Sequence, residues 1–251
     1  MPKVPASTPV DVSRPTLRRS INLFREFRLE QTEPERFYTT LAADTVAQLS
    51  TFVSLEGKVL LDVGGGPGFF RDAFEKAGAR YVALDADVGE LSAFGGIAGN
   101  SVVGSGMQLP FADASVDVAF SSNVLEHVTD PWLMASEMLR VTRPGGTVFI
   151  SYGPWWGPFG GHETAPWHYF GGHYARRRYL RRKHAEPKNR FGESLFVTTV
   201  HDGLTWARTR PDAELVASLP RYHPRWSWWI LKVPGVREVV TWNLVLVLRK
   251  R

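Results

Sequence analysis

Cysteine is absent from the 251 residues of this sequence, and long uncharged apolar runs are absent as well. Without cysteine the chain has no disulfide, no thiolate metal site and no cysteine nucleophile. No stretch approaches the roughly 20 apolar residues of a membrane-spanning helix. Residues 1–15 also lack the apolar core of a secretory signal peptide. These absences favour a cytoplasmic protein in a reducing compartment.

Positive charge is in modest excess, with a formal net charge of +5, and it is unevenly placed. The run from Arg176 to His184 carries six of the 30 lysines and arginines. Such a run pairs with phosphates or forms a solvated helix face, and the basic balance suits nucleic acid, an anionic membrane or an ordinary surface. Nucleic acid is the less favoured partner, because no added recognition module is visible.

The order of apolar patterns predicts one α/β domain over residues 14–251, preceded by an arm at 1–13 that we expect to be disordered. Residues 14–56 predict two helices, with a break at Glu33-Pro34 and Thr32 as the cap of the second. Residues 57–152 alternate strands and helices, which indicates a parallel sheet with helices on both faces. An irregular insert follows at 153–199, and a helix with the last strands occupies 200–251.

Individual elements can be placed within this frame. The predicted strands are Val59–Val63, Tyr81–Leu84, Val116–Ser121, Thr147–Ser151, Glu214–Ala217 and Thr241–Leu248. The predicted helices are Phe69–Ala77, Pro131–Val141 and Val200–Arg208, the first of them ending at Gly78.

The segment VLLDVGGGPG at 59–68 joins the first of these strands to a turn almost free of side chains. At the carboxyl end of a parallel strand such a turn exposes backbone N–H groups to a nucleotide-type ligand. Phe69 stands where the dinucleotide fingerprint needs its third glycine, which argues against NAD and FAD. Asp85 closes the next strand and is predicted to accept hydrogen bonds from both ribose hydroxyls, with Asp87 as a less favoured alternative.

Four ordered segments over about residues 57–152 resemble the class I S-adenosylmethionine-dependent methyltransferases, in particular the branch that acts on small molecules and lipids. They are DVGGGPG, ALDAD, LPFADASVDVAFSSNVLEHVTDP and RPGGT. The resemblance implies a Rossmann-like seven-stranded, mostly parallel sheet whose last strand, Thr241–Leu248, is antiparallel. It also implies S-adenosylmethionine as the methyl donor.

The resemblance also implies roles for residues along the cofactor. The methionine part would be held by Asp62, Gly64, Gly65, Gly66 and Gly68. Asp85, with Ala86 beside it, would bind the ribose, and Ser122 and Asn123 would lie near the sulfonium. Ser105 stands where this branch usually has an acid that contacts adenine, so Met107 and Gln108 share that contact in our prediction.

A proton acceptor is needed only if the methyl acceptor must lose a proton, and three histidines are candidates: His127, His162 and His168. The alternative for His127 is a helix residue bonded to backbone. In the insert, His162, Glu163, His168 and His173 have the chemistry of metal ligands, yet their spacing matches no compact motif, so no metal is predicted.

Aromatic residues are dense in the insert, where nine lie between Tyr152 and Tyr179 inclusive. They suit a sugar ring or an acyl chain, or they form a small core that fixes the loop. Further on, the segment 225–234 sets three tryptophans between cations, which suits either a membrane interface or a buried helix with an exposed rim.

Together these features predict a methyltransferase that acts on a lipid, glycolipid or sugar-like acceptor at oxygen, with peripheral contact to an anionic membrane. Two alternatives stay open. A nucleic-acid methyltransferase would often carry Asn/Asp-Pro-Pro-aromatic where this chain reads Ser121-Ser-Asn-Val-Leu. A non-catalytic binding protein with the same fold is suggested only by Ser105.

Overall fold

One sheet organises the computed structural model, which describes residues 15–29, 32–92 and 100–251. Its strands are β1 (Val59–Val63), β2 (Arg80–Asp85), β3 (Ser101–Val103), β4 (Val116–Ser122), β5 (Thr142–Tyr152), β6 (Ala213–Pro220) and β7 (Leu244–Lys250). Their order across the sheet is β3-β2-β1-β4-β5-β7-β6, with β1 to β5 parallel and β7 antiparallel to both β5 and β6. The predicted seven-stranded sheet with an antiparallel last strand is confirmed.

Eight helices surround the sheet in the described part of the chain. They are α1 (Leu17–Phe27), α2 (Pro34–Leu49), α3 (Arg71–Lys76), α4 (Val88–Ser92), α5 (Pro131–Val141), α6 (Gly172–Lys183), α7 (Val200–Thr209) and α8 (Val236–Val240). One apolar layer joins α5 and α7 to one face of the sheet, and a second joins α1, α2 and α3 to the other. The central strands are therefore buried on both faces, which explains their continuous apolar sequences.

Alternation along β5 shows how one strand serves both layers. Val148 and Ile150 belong to the α5 and α7 side, whereas Phe149 belongs to the α1 and α2 side. This is the period of two expected of a strand, since successive side chains point to opposite faces.

The boundaries of several elements differ from the predicted ones. Thr32 does not cap α2, because its hydroxyl donates to the carbonyl of Leu29 and the cap residue is Glu33. The strand β5 begins at Thr142, five residues early, since Thr142 already pairs with Val116 before a bulge. The predicted arm at 1–13 lies outside the described residues.

The insert at 153–199 contains two 3₁₀ turns, His162–Thr164 and Trp167–Phe170, followed by α6. Part of its aromatic content forms an internal core, in which Trp155 contacts His168 and Phe191. Phe159 instead packs on Phe27 and Trp242, with ring centroids 4.9 and 4.8 Å away. The insert is thus fixed both by its own core and by α1.

The C-terminal segment that carries the three tryptophans is partly buried and partly exposed. In the 3₁₀ segment Arg225–Lys232, Ile230 and Leu231 are buried, whereas Trp226 is 71% exposed and Trp229 is 54% exposed. Within the described residues, none of the helices has the length and apolar character that crossing a bilayer requires.

Candidate active site

The residues Gly64–Gly68, called here the glycine turn, lie at the carboxyl end of β1 and are held against β2. The N–H groups of Gly64 and Gly65 both donate to the carbonyl of Leu84, at 2.8 and 3.1 Å. Gly64 has a φ of +78°, and a Cβ there would lie 2.4 Å from a methyl group of Val124. Glycine is needed at this position both for the backbone conformation and for the close approach.

Above Gly66 the turn is open. Its φ is +48°, and among the described residues the nearest atom to an added Cβ is the Oδ2 of Asp85, at 4.0 Å. The Gly66 N–H donates to that same oxygen at 2.9 Å, and Asp85 Oδ1 accepts from the N–H of Asp87 at 2.9 Å. The predicted ribose acid therefore touches the glycine turn directly, at the edge of an open backbone surface.

Asp62 lies beneath the turn instead of facing it. The residue is 2% exposed, and its Oδ2 accepts a hydrogen bond of 2.6 Å from the hydroxyl of Tyr81. Burial raises the pKa of Asp62 to about 7, although the Tyr81 hydrogen bond opposes the shift. A Cβ on Gly65 would lie 3.3 Å from the Asp62 carboxyl carbon, so this carboxyl supports the turn from below.

The third strand brings the predicted adenine contacts to the same edge of the sheet. The N–H of Gly104 donates to the carbonyl of Asp85 at 2.9 Å, so the chain after β3 starts beside the ribose acid. The Ser105 hydroxyl is exposed and accepts from the N–H of Met107 at 3.2 Å. Met107 is half-buried against the core, and Gln108 and Ala86 are exposed.

Ser122 and Asn123 end β4 on the neighbouring side of the crevice. Asn123 has a φ of +58°, and its side-chain oxygen accepts from the amide of Asn243 at 2.7 Å. The Ser122 hydroxyl accepts from the guanidinium of Arg221 at 2.9 Å. The two residues predicted near the sulfonium are therefore held by the side chains of Asn243, just before β7, and Arg221, just after β6.

Arg221 was not found by sequence reasoning, because nothing in its local pattern marks it. It is 1% exposed, and its side chain donates to the hydroxyls of Ser122, Ser151 and Thr45. Its carbonyl accepts from Arg19, whose guanidinium forms a buried two-bond ion pair with Asp44. This buried group of two cations and one carboxylate connects the residue after β6 to the ends of β4 and β5.

Two of the three candidate histidines come together at the 3₁₀ turn Leu125–His127, just after β4. The rings of His127 and His162 lie 5.1 Å apart, and Glu126 joins them, with one ligand atom of each residue within 4.8 Å of the others. His127 Nδ1 lies 2.7 Å from the carbonyl of Ser194, so it is bonded to backbone of the insert and not of its own turn.

His168 lies elsewhere, in the internal core of the insert, where it is completely buried and its Nε2 meets the carbonyl of Gly157 at 3.2 Å. Burial lowers the pKa of His168, and burial together with the nearby His127 and His168 lowers the pKa of His162 to about 3. Both rings are therefore neutral at physiological pH. Glu163 and His173, the other two candidates for a metal, contact Asn189 and Phe191 respectively.

The crevice suits the cofactor that the sequence motifs imply. Uncovered backbone at Gly66 admits a close ligand, and the adjacent Asp85 carboxylate can accept two hydroxyl hydrogen bonds. The half-buried Met107 offers an apolar surface for a base at the end of β3.

Comparison with known proteins supports a methyltransferase. A family model described as "Methyltransferase domain" matches residues 61–150. Two relatives, each named "Uncharacterized methyltransferase", come from Mycobacteroides abscessus (51% identity over 99% of this chain and 100% of the relative) and Mycolicibacterium gilvum (52% over 97% and 99%). The crystal structure of an S-adenosylmethionine-dependent methyltransferase from Mesorhizobium loti shares the fold, with a TM-score of 0.58 at 20% identity over 83% of this chain and 98% of that one.

Proposed function

This chain belongs to the S-adenosylmethionine-dependent methyltransferases, and from that premise we propose that it methylates an oxygen atom of a lipid, glycolipid or sugar-like acceptor. The enzyme class and the cofactor follow from the family. The acceptor and the atom methylated are our proposal, and they rest on surfaces outside the cofactor crevice.

The cofactor supplies a methyl group on a sulfonium, which is already activated for displacement. Residues of the chain then have to hold the donor and align an acceptor oxygen with the methyl carbon. Alignment of this kind can contribute roughly 7–11 kcal/mol to lowering a barrier. In our proposal Asp85 and the glycine turn fix the adenosyl and methionine parts, and Ser122 and Asn123 border the reacting end.

A cavity in the insert is the observation that carries the choice of acceptor. It encloses about 310 Å³ between α6 and the two 3₁₀ turns, and it is lined by two aromatic rings and three cations: Trp167, Tyr179, Arg178, Arg182 and Lys183. Glu163, next to His162, lines the same cavity. Aromatic faces beside guanidinium groups suit a sugar ring or an anionic headgroup.

A second surface supports contact with an anionic membrane. Leu17, Ile21 and Phe24 form an exposed apolar stripe on α1, spaced by four and three residues. The N–H of Arg225 donates to the carbonyl of Pro15 at 2.7 Å, so the segment that carries Trp226 begins beside the start of α1. Exposed tryptophans and leucines flanked by cations are typical of proteins that lie at a membrane interface. We call Leu17, Ile21, Trp226 and Trp229 the tryptophan patch.

The basic run on α6 gives less support to a nucleic-acid substrate. Arg176 is paired with Glu186 and Glu193, and the guanidinium of Arg178 stacks over Trp167 at 3.8 Å from the ring centre. Arg176 and Arg178 are engaged in local contacts within the insert, which leaves fewer cations of this run for a row of phosphate contacts.

The acceptor class can be tested with a labelled methyl donor. The protein and the labelled donor are incubated in three separate reactions, which contain a lipid extract, a pool of small polar metabolites or total RNA. We expect label in the lipid extract, and we expect Arg182→Ala to raise the KM for that fraction more than it changes kcat. Exposed Arg208 on α7 provides the control substitution, Arg208→Ala. Label confined to the polar metabolites or to RNA would remove the lipid assignment.

A further inference from the structure

The cluster of Glu126, His127 and His162, called here the His–Glu cluster, has a composition that the methyl-transfer chemistry does not require. Methyl transfer from a sulfonium needs a proton acceptor at most, yet two imidazoles and a carboxylate converge within 4.8 Å. Two nitrogen ligands and one oxygen ligand are the set that binds catalytic zinc and related divalent transition metals, with further positions left open.

His127 is held in a way that suits a ligand, whereas the Nδ1 of His162 lies 3.4 Å from the side-chain nitrogen of Asn189. His127 Nδ1 lies 2.7 Å from the carbonyl of Ser194. Because a carbonyl only accepts, the Nδ1 carries the proton and Nε2 keeps its lone pair. An imidazole whose second nitrogen donates to a backbone carbonyl is the usual arrangement of a metal-bound histidine, since that bond fixes the tautomer and the ring.

Glu126 supplies the unsatisfied atom of the cluster. Its Oε1 accepts from the N–H of Gly153 at 2.8 Å, but its buried Oε2 finds no hydrogen-bond donor among the residues that the structure describes. A buried carboxylate oxygen without a partner is rare, because it has lost its hydration. A cation bound between this oxygen and the two rings would provide the missing interaction.

His162 is placed by a strained backbone. Its φ is +46°, a conformation that a residue with a Cβ adopts at an energetic cost. Contacts in the rest of the insert must hold this conformation. In this conformation the His162 ring lies 5.1 Å from the ring of His127. Strain of this kind is concentrated at sites of function.

We propose that Glu126, His127 and His162 bind one divalent transition-metal ion, of the class of Zn²⁺, beside the carboxyl end of β4. An open position of this ion would take a hydroxyl of the acceptor. That hydroxyl would lose its proton to water more easily, and its oxygen would attack the methyl group as the sulfonium–carbon bond breaks and leaves the demethylated cofactor. That the outer ligand is an acceptor hydroxyl rests on the proposed function; the binding of the ion does not.

Titration of the untagged, metal-stripped protein with Zn²⁺ alone tests the site, without cofactor or acceptor. We expect one ion per chain, and a visible absorption spectrum of low coordination number when Co²⁺ replaces Zn²⁺. His127→Gln, Glu126→Gln and His162→Asn should each weaken Zn²⁺ binding by more than about 100-fold, beyond the 10- to 100-fold typical of losing a supporting partner. Asparagine is chosen at 162 because it tolerates positive φ.

The control is His201→Ala, which removes an exposed histidine on α7 and should leave Zn²⁺ binding unchanged. Circular dichroism checks that each variant is folded, and Glu126→Gln keeps an acceptor for Gly153. Absence of Zn²⁺ binding by the wild-type protein, or binding by the three cluster variants as tight as that of the wild type, would overturn the proposal. A chain that binds Zn²⁺ at the cluster but methylates no lipid would retain this site and lose only the proposed acceptor.

Discussion

At the scale of single residues, Gly64 shows how sequence, backbone and ligand site are linked. Its φ of +78° and the methyl groups of Val124 both exclude a side chain, whereas Gly145 has a similar φ of +76° and no atom within 4 Å of an added Cβ. Gly145→Ala should therefore cost only the left-handed backbone penalty of roughly 1–2 kcal/mol. Gly64→Ala should cost more, because the clash with Val124 is added.

Chemical denaturation of both variants measures this difference, and cofactor titration measures its functional effect. Only Gly64→Ala should lose binding of S-adenosylhomocysteine, since Gly145 lies in the bulge of β5 between Thr142 and Thr147, near the amino end of that strand. Equal destabilisation of the two variants would mean that the close approach of Val124 is not maintained in solution.

Asp62 makes a prediction about pH. Its pKa is raised to about 7, chiefly by burial, from an ordinary value of 3.8. The folded chain therefore keeps this proton up to about pH 7, while the unfolded chain releases it near pH 4, so stability falls as the pH rises through that window. Three pH units correspond to roughly 4 kcal/mol.

Asp62→Asn removes this titration. The free energy of unfolding of the variant, minus that of the wild type, should grow by a few kcal/mol between pH 4 and pH 8. Urea unfolding at several pH values gives the two curves. A difference that stays constant with pH would show that the Asp62 carboxyl is hydrated in the folded protein.

Residue positions were predictable where a local pattern carries them. The glycine turn and Asp85 follow from spacing along one β-α-β unit, and the structure brings them into direct contact. Arg221, Tyr81 and the pairing of His127 with His162 depend on contacts between distant parts of the chain. His162 lies 35 positions from His127, and the compact ligand spacing sought in the sequence cannot detect such a pair.

At the scale of elements, the insert depends on α1. Phe159 joins them through Phe27 and Trp242, at centroid distances of 4.9 and 4.8 Å. Phe159→Ala should lower stability by about 1–3 kcal/mol, less than the 3–5 kcal/mol of a fully buried phenylalanine, because the ring is only half-buried. It should also speed amide hydrogen exchange in α1 and in residues 153–161, with little change in the strands.

The matched control lies in the same insert. Phe170 is 73% exposed, so Phe170→Ala should leave both stability and exchange unchanged. If the two variants exchanged alike, the contact between the insert and α1 would not be what fixes the insert.

Element boundaries were less predictable than element types. The helix α5 was placed at its observed bounds, because Asp130 and Pro131 give a local start signal and the Asp130 side chain does accept from the N–H of Leu133. The strand β5 was placed five residues late, because Arg143, Pro144 and two glycines are poor strand formers that join the ladder only through pairing with β4. The insert carried no regular pattern, so its 3₁₀ turns and its division into two aromatic groups were not predictable.

At the scale of the whole molecule, charge and exposed apolar surface together predict that the protein binds to an anionic membrane. Trp226 and Trp229 are 71% and 54% exposed, and Arg225 and Lys232 bound their segment. The wild-type protein should sediment with vesicles that contain phosphatidylglycerol, and binding should weaken at high salt because the attraction is partly electrostatic. The double variant Trp226→Ala/Trp229→Ala should bind several-fold less.

Phe170→Ala is again the control, because it removes an equally exposed aromatic ring from a different surface. Equal sedimentation of the double variant and the wild type would exclude the tryptophan patch as the contact. Equal loss in Phe170→Ala would show that any exposed aromatic ring contributes in the same way.

The central claim is that the glycine turn and Asp85 hold an adenosyl cofactor, and isothermal titration with S-adenosylhomocysteine tests it most directly. The account predicts one site per chain, with affinity lowered roughly 10- to 100-fold in Asp85→Ala through loss of charge-assisted hydrogen bonds. Asp87→Ala, an exposed acid two residues on, should change affinity by no more than about threefold, since the Asp87 side chain is exposed and its Oδ1 accepts from the N–H of Gly89 at 2.7 Å. No binding at millimolar ligand, or an Asp85→Ala variant that binds as well as the wild type, would contradict the account.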